Sequence, residues 1–173
     1  MWIRSHEQPL AGWIHRPTDL SCLNGRGLLI CNPIGHELIH AHQSIREMAD
    51  KFARAGYSVL RFDYTGTGDS DGDEFEDNIV AKWLDDIVAA SEYLHATCGT
   101  EVRQLVGIRS GALLAAACAP RLSPDDGLML WDPIPSGRRF LRELKANEKL
   151  AYFRCDPDLL ESVGFPYPTP MLQ

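Results

Sequence analysis

Several signatures that would fix a function early are missing from this chain. Its 173 residues carry 17 Lys and Arg against 24 Asp and Glu, a formal charge of −7, and no basic run is longer than Arg138-Arg139. Such a balance argues against nucleic acid and anionic membrane as partners. No apolar run reaches the ~18 residues of a membrane span. The opening Met1-Trp2-Ile3-Arg4-Ser5-His6-Glu7 lacks the basic-then-apolar build of an export signal. The five cysteines (Cys22, Cys31, Cys98, Cys118, Cys155) are odd in number and scattered, with no C-x-x-C. Free, mostly buried thiols in a reducing cytoplasm are the expectation. Internal repeats and low-complexity stretches are also missing, and no cofactor is predicted. All six histidines (His6, His15, His36, His40, His42, His95) lie in the first part of the chain.

What is present is an alternation of apolar runs and helical patterns. Two short strands, Met1–Arg4 and Leu10–His15, are expected around a turn at Gln8-Pro9. The polar stretch from Pro17 to Arg26 reads as a loop. Continuous apolar runs at 27–32, 57–64, 102–108 and 127–132 suit strands buried on both faces of a parallel sheet. Between them, helices are predicted over about 42–55, 78–97 and 110–120, with Gly56 and Gly99 as stops. A further amphipathic segment spans 137–150, and the tail from Gly164 reads as irregular. Strands separated by helices of this length imply right-handed crossovers and helices on both faces, a three-layer α/β/α domain. Function in such sheets gathers at the carboxyl ends of the strands.

The most telling stretch is Val106-Gly107-Ile108-Arg109-Ser110-Gly111, followed by an Ala/Leu run. Strand, tight turn between glycines and buried helix form the setting of a nucleophile elbow. Here the apex is Arg109, and Ser110 comes one residue late.

Together with Asn32-Pro33-Ile34-Gly35-His36-Glu37 and Arg61-Phe62-Asp63-Tyr64-Thr65-Gly66-Thr67-Gly68-Asp69-Ser70, this stretch resembles the α/β-hydrolase family, in its serine-aminopeptidase-like branch. Leu130-Trp131-Asp132-Pro133 and the segment from Gly137 to Leu144 are similar to the hydrolase-like proteins of exosortase and exopolysaccharide clusters, in which arginine often occupies the apex. The resemblance implies the strand adjacency 57–63, 27–32, 102–108, 127–132. It also implies a triad in the chain order Ser, acid, His. No histidine follows the elbow here, so a single α/β-hydrolase-like domain without its last strands is expected, with a core over 1–135 and the start of a cap or insertion over 136–173. Strand 127–132 would then be an open apolar edge, prone to self-association or to pairing with a complementing C-terminal segment.

Several residues are candidates for chemistry. Ser110 is the nucleophile if a base reaches it, and otherwise a helix-opening serine. Asp132, ending the last core strand, is the candidate triad acid or a turn aspartate before Pro133. Arg109 offers a guanidinium beside helix amides, suited to a carboxylate or phosphate, or to an internal ion pair with Glu37, Asp63 or Asp132. Backbone N–H groups at Gly35 and the elbow are the implied oxyanion donors. His36-Glu37-Leu38-Ile39-His40 spells H-E-x-x-H, but it follows a strand directly, in what reads as a loop, and no third ligand is evident, so no bound metal is expected. Gly68-Asp69-Ser70-Asp71-Gly72 spells G-x-S-x-G outside its strand–turn–helix setting, which makes Ser70 structural.

The resemblance therefore implies a hydrolase of an ester, thioester or amide with a degenerate elbow. The alternatives are a non-catalytic relative binding an anionic acyl or phosphorylated small molecule through Arg109, and a zinc hydrolase built on His36, Glu37 and His40.

Overall fold

In the computed structural model, residues 1–5, 8–136, 138, 140, 142–146, 160–162 and 165–167 are described. The chain runs β1 (Trp2–Ser5), β2 (Gln8–His15), β3 (Arg26–Cys31), α1 (His36–Arg54), β4 (Ser58–Phe62), α2 (Ile79–Cys98), β5 (Val102–Ile108), α3 (Ser110–Cys118) and β6 (Gly127–Trp131). These strands form one sheet in the order β1-β2-β4-β3-β5-β6. The pairs β3–β4, β3–β5 and β5–β6 are parallel, while β1–β2 and β2–β4 are antiparallel. The expected adjacency is thus present, with β3 between β4 and β5.

Alternate strand residues face opposite layers, and this sorts the core into two parts. On one face Leu29, Leu60, Phe62 and Leu105 pack with Trp83, Ile87, Ala90 and Leu94 of α2 and with Leu114 and Ala115 of α3. On the other, Leu28, Ile30, Val59 and Val106 pack with Ile45 and Ala49 of α1. Helices cover both faces, as a three-layer α/β/α domain requires. Strand β6 is different. Leu128, Met129, Leu130 and Trp131 are 44%, 50%, 40% and 56% exposed, so an apolar strand forms the sheet's open margin.

Three boundaries depart from the sequence expectations. Helix α1 starts at His36, not near position 42, because Gly35 (φ 65°) turns the chain straight from β3 into the helix. Its first turn carries Glu37, which suits the positive end of the helix dipole. The H-E-x-x-H segment is therefore helical and not a loop. Gln8 and Pro9 belong to β2 rather than to a turn, and Pro9 pairs with Arg4 of the edge strand, a place where proline is tolerated. The tail forms a short antiparallel pair, β7 (Leu160–Ser162) with β8 (Phe165–Tyr167). Of the expected helix over 137–150, residues 138, 140 and 142–146 are helical, and residues 137, 139, 141 and 147–150 lie outside the described residues.

Candidate functional site: the elbow after strand β5

Between the last residue of β5 and the first of α3 stands Arg109 alone, with φ 53° and ψ −115°. A non-glycine residue in that region costs on the order of 1–3 kcal/mol and persists only where its surroundings fix it. The flanking glycines supply that fixation. A Cβ on Gly107 would lie 2.5 Å from Ala112 Cα, and one on Gly111 would lie 2.3 Å from the carbonyl oxygens of Cys31 and Asn32. No side chain fits at either place, so α3 can settle directly on β5 and β3. The Arg109 N–H also donates to the Trp131 carbonyl at 3.1 Å, tying the apex to the end of β6.

The Arg109 side chain spans two elements. Its Nε and Nη2 both donate to Glu37 Oε1, at 3.0 and 2.9 Å, and its Nη1 donates to Asp132 Oδ2 at 3.3 Å. Burial acts to lower the Arg109 pKa. The hydrogen bonds to Glu37 and the charges of Glu37, Asp132 and Glu143 outweigh it and hold the group above its ordinary value. The second Glu37 oxygen, Oε2, is buried with no hydrogen-bond partner among the described residues. Asp63 is not part of this cluster; its Oδ2 accepts from the Asp69 N–H at 3.0 Å. Asp132 itself has φ 46° and a side chain 69% exposed. A cavity of about 190 Å³ beside it is lined by Arg109, Asp132, Ile134, Phe140 and Glu143.

Ser110 points the other way. It is fully buried, and its Oγ accepts the Ile34 N–H at 2.9 Å. The hydroxyl thus pins the β3–α1 loop, the same loop that carries Gly35, whose carbonyl accepts from Leu38 N–H. Four of the histidines are occupied elsewhere: His15 with Asp50 and Arg61, His36 with His40, and His95 with the Thr100 carbonyl.

His36 and His40 do share a face of α1, with Nε2 atoms 2.9 Å apart. Glu37, the base of the zinc reading, is held by Arg109, and among the described residues no group of three His, Cys, Asp or Glu is placed to hold a metal ion. Ser70 braces two strands, donating to the Asp63 carbonyl at 2.6 Å and accepting from the Ala11 N–H at 2.9 Å.

Sequence reasoning missed two supporting residues. Ile34 gives Ser110 its partner through backbone alone, which leaves no mark on side-chain identity. Asp86, fully buried, accepts from Ser5 Oγ at 2.6 Å and from the Thr65 N–H at 2.8 Å. Its signal was legible: an aspartate three residues after Trp83, on the apolar stripe of α2.

Comparison with known proteins agrees with this architecture. The family described as serine aminopeptidase, S33, matches residues 34–150, about two thirds of the chain. No curated protein matches. Among solved structures, the proline iminopeptidase of Mycobacterium smegmatis is 16% identical with a TM-score of 0.63, over 87% of this chain and 49% of that one. An α/β serine hydrolase homologue from Coxiella burnetii is 22% identical with a TM-score of 0.57, over 69% and 55%. Est1E from Butyrivibrio proteoclasticus, solved with ferulic acid, is 22% identical with a TM-score of 0.62, over 99% and 68%. The chain spans about half the length of the first two. An elbow between two obligatory glycines, the strand order of the sheet and the family match agree, and the chain belongs to the serine aminopeptidase family of α/β-hydrolases.

Proposed function

We propose that this hydrolase-family chain uses its elbow to bind an anionic small molecule, an acyl carboxylate or a phosphorylated compound, through Arg109. One observation carries the proposal: the apex position, where the fold presents its reactive group, holds a guanidinium, while the neighbouring serine hydroxyl is buried and already committed to Ile34. Glu37 holds the guanidinium by two short bonds, whereas Asp132 touches it once, at 3.3 Å, from an exposed position. A ligand oxygen takes Nη1 by displacing Asp132, and Glu37 keeps the fork oriented meanwhile. Because Asp132 competes for the same donor, Asp132→Asn should tighten binding. Arg109→Ala should weaken it by about 1.5–3 kcal/mol, the range for a charge-assisted bond.

A second reading is hydrolysis of an ester, thioester or amide, with Ser110 attacking and Asp132 as the acid. Family membership and the strained elbow backbone favour it. Active-site labelling with a fluorophosphonate decides between the two. No labelling, with octanoate or acetyl phosphate binding lost in Arg109→Ala, supports the first. Rapid, stoichiometric labelling at Ser110 overturns it. We also propose that the exposed β6 margin pairs with a further strand, from a second copy or a complementing segment.

A further inference from the structure

Arg61 lies on β4, where every residue from Ser58 to Phe62 is buried, and is itself only 6% exposed. It faces the α1 layer, opposite Trp13 of β2 in the strand register, with its guanidinium carbon 5.5 Å from the Trp13 ring centroid. Its Nε donates to His15 Nε2 at 2.9 Å, and His15 Nδ1 in turn meets Asp50 Oδ1 at 2.6 Å. Asp63 also acts on the guanidinium through its charge, without bonding to it. Among the described residues no carboxylate lies within ion-pair distance of Arg61, and Asp50 reaches it only through the imidazole. Among the described residues its two Nη groups find no hydrogen-bond partner, yet they are not among the sealed, unpartnered atoms. Arg61 lines a cavity of about 370 Å³, together with Trp13, Leu38, His42, Ile45 and Asp63. A second hollow, shared by Trp13, His42 and Arg61, adds Arg46 of α1.

A buried charge is normally paired, because leaving water costs several kcal/mol per ion unless a counter-charge and hydrogen bonds replace the solvent. Among the described residues Arg61 has the burial without a counter-charge in contact, and the charges of Asp63 and Asp50 act on it only from beyond ion-pair distance. Burial pulls its pKa down by more than the charges of Asp63 and Asp50 hold it up. The unmet requirement is for two acceptor oxygens in one plane, which is the shape of a carboxylate on a guanidinium fork. The walls select further. Trp13, Leu38 and Ile45 are apolar and suit a hydrocarbon or aromatic body. Asp63 and Asp69 also line the cavity, and they would repel a doubly charged phosphate more than a singly charged carboxylate.

We propose that the Arg61 cavity, between α1 and the β2–β4 pair, is a binding site for a small monocarboxylate with an apolar body, held by the two Nη groups of Arg61 against Trp13. Arg46 lines the adjoining hollow that Arg61, Trp13 and His42 share, and its charge favours an anion there. The site is separate from the elbow: Glu37, the α1 residue bonded to Arg109, is not part of its lining.

Benzoate is a suitable probe, titrated into the 173-residue chain and followed through the Trp13 indole N–H and Arg61 Nε–H resonances. Saturable shifts at both are expected at millimolar benzoate, with affinity about tenfold weaker in Arg61→Met. Arg109→Ala should leave those shifts unchanged, which separates this site from the elbow. Arg46→Gln, in the adjoining hollow, gives a smaller loss and serves if Arg61→Met does not fold. Three outcomes overturn the proposal: no shift at either resonance, binding abolished by Arg109→Ala but not by the Arg61 and Arg46 variants, or phenyl phosphate binding more tightly than benzoate.

Discussion

Ile34 donates its backbone N–H to the Oγ of Ser110 at 2.9 Å, inside the protein and across 76 positions of sequence. The hydroxyl one residue past the apex here fastens the β3–α1 loop to the first turn of α3. Ser110→Ala removes the acceptor this amide uses, so a loss of about 1–3 kcal/mol in unfolding free energy is expected. Urea denaturation measures it, and an unchanged midpoint would count against a holding role.

The apex backbone allows a comparison free of side-chain effects. Arg109→Ala and Arg109→Gly both delete the bonds to Glu37 and Asp132, but only glycine adopts φ 53° without strain. The glycine variant should be the more stable by about 1 kcal/mol. Equal stabilities, measured side by side, would mean that the strain is relieved elsewhere.

Gly111 is the tighter of the two elbow glycines. The carbonyls 2.3 Å from its virtual Cβ are backbone of Cys31, the last residue of β3, and of Asn32 just after it, which cannot yield without disturbing the sheet. Gly111→Ala should therefore cost about 3 kcal/mol, at the upper end of ordinary overpacking. Thermal denaturation of the purified variant reads this directly, and an unaltered Tm would contradict the packing.

Asp63 supplies a pH signature. Burial raises its pKa above the ordinary 3.8, against the hydrogen bond from Asp69 N–H that lowers it. A group raised in the folded state adds stability when protonated, and that contribution is lost as pH rises through the folded pKa. Asp63→Asn should thus stabilise the protein at neutral pH, and the advantage should fade as pH falls below the ordinary value. An advantage that instead grew towards acid would show that the sign is reversed.

The β6 margin predicts association. Placing a charge on the exposed strand by Leu130→Lys should shift the chain towards monomer in light scattering after gel filtration. Wild-type protein that stays monomeric at every concentration would show that this margin recruits nothing.

Much of the fold was legible because parallel sheets announce themselves. Runs such as Leu28-Leu29-Ile30 and Leu128-Met129-Leu130 are apolar throughout, and the intervening stripes repeat at helical spacing. The elbow was legible too, since only glycine permits the close approach at positions 107 and 111. The start of α1 was not. A single glycine with positive φ decides whether the chain turns at once or wanders first, and Gly35 turns it at once.

The sequence by itself determined that Arg109, and not a serine, stands at the apex. Chain order and the two glycines set that frame. Only the tertiary structure decided what Arg109 meets, because Glu37, 72 residues away, and Asp132, 23 away, come to it through β3, β5 and β6 lying side by side. Arg61 illustrates the same division. Its place in an apolar strand is plain in the sequence, but its lack of an ion-pair partner among the described residues depends on which side chains the sheet register and α1 bring near it. Local chemistry fixes backbone shape within a few residues, whereas the balance of buried charge is set by neighbours distant in the chain.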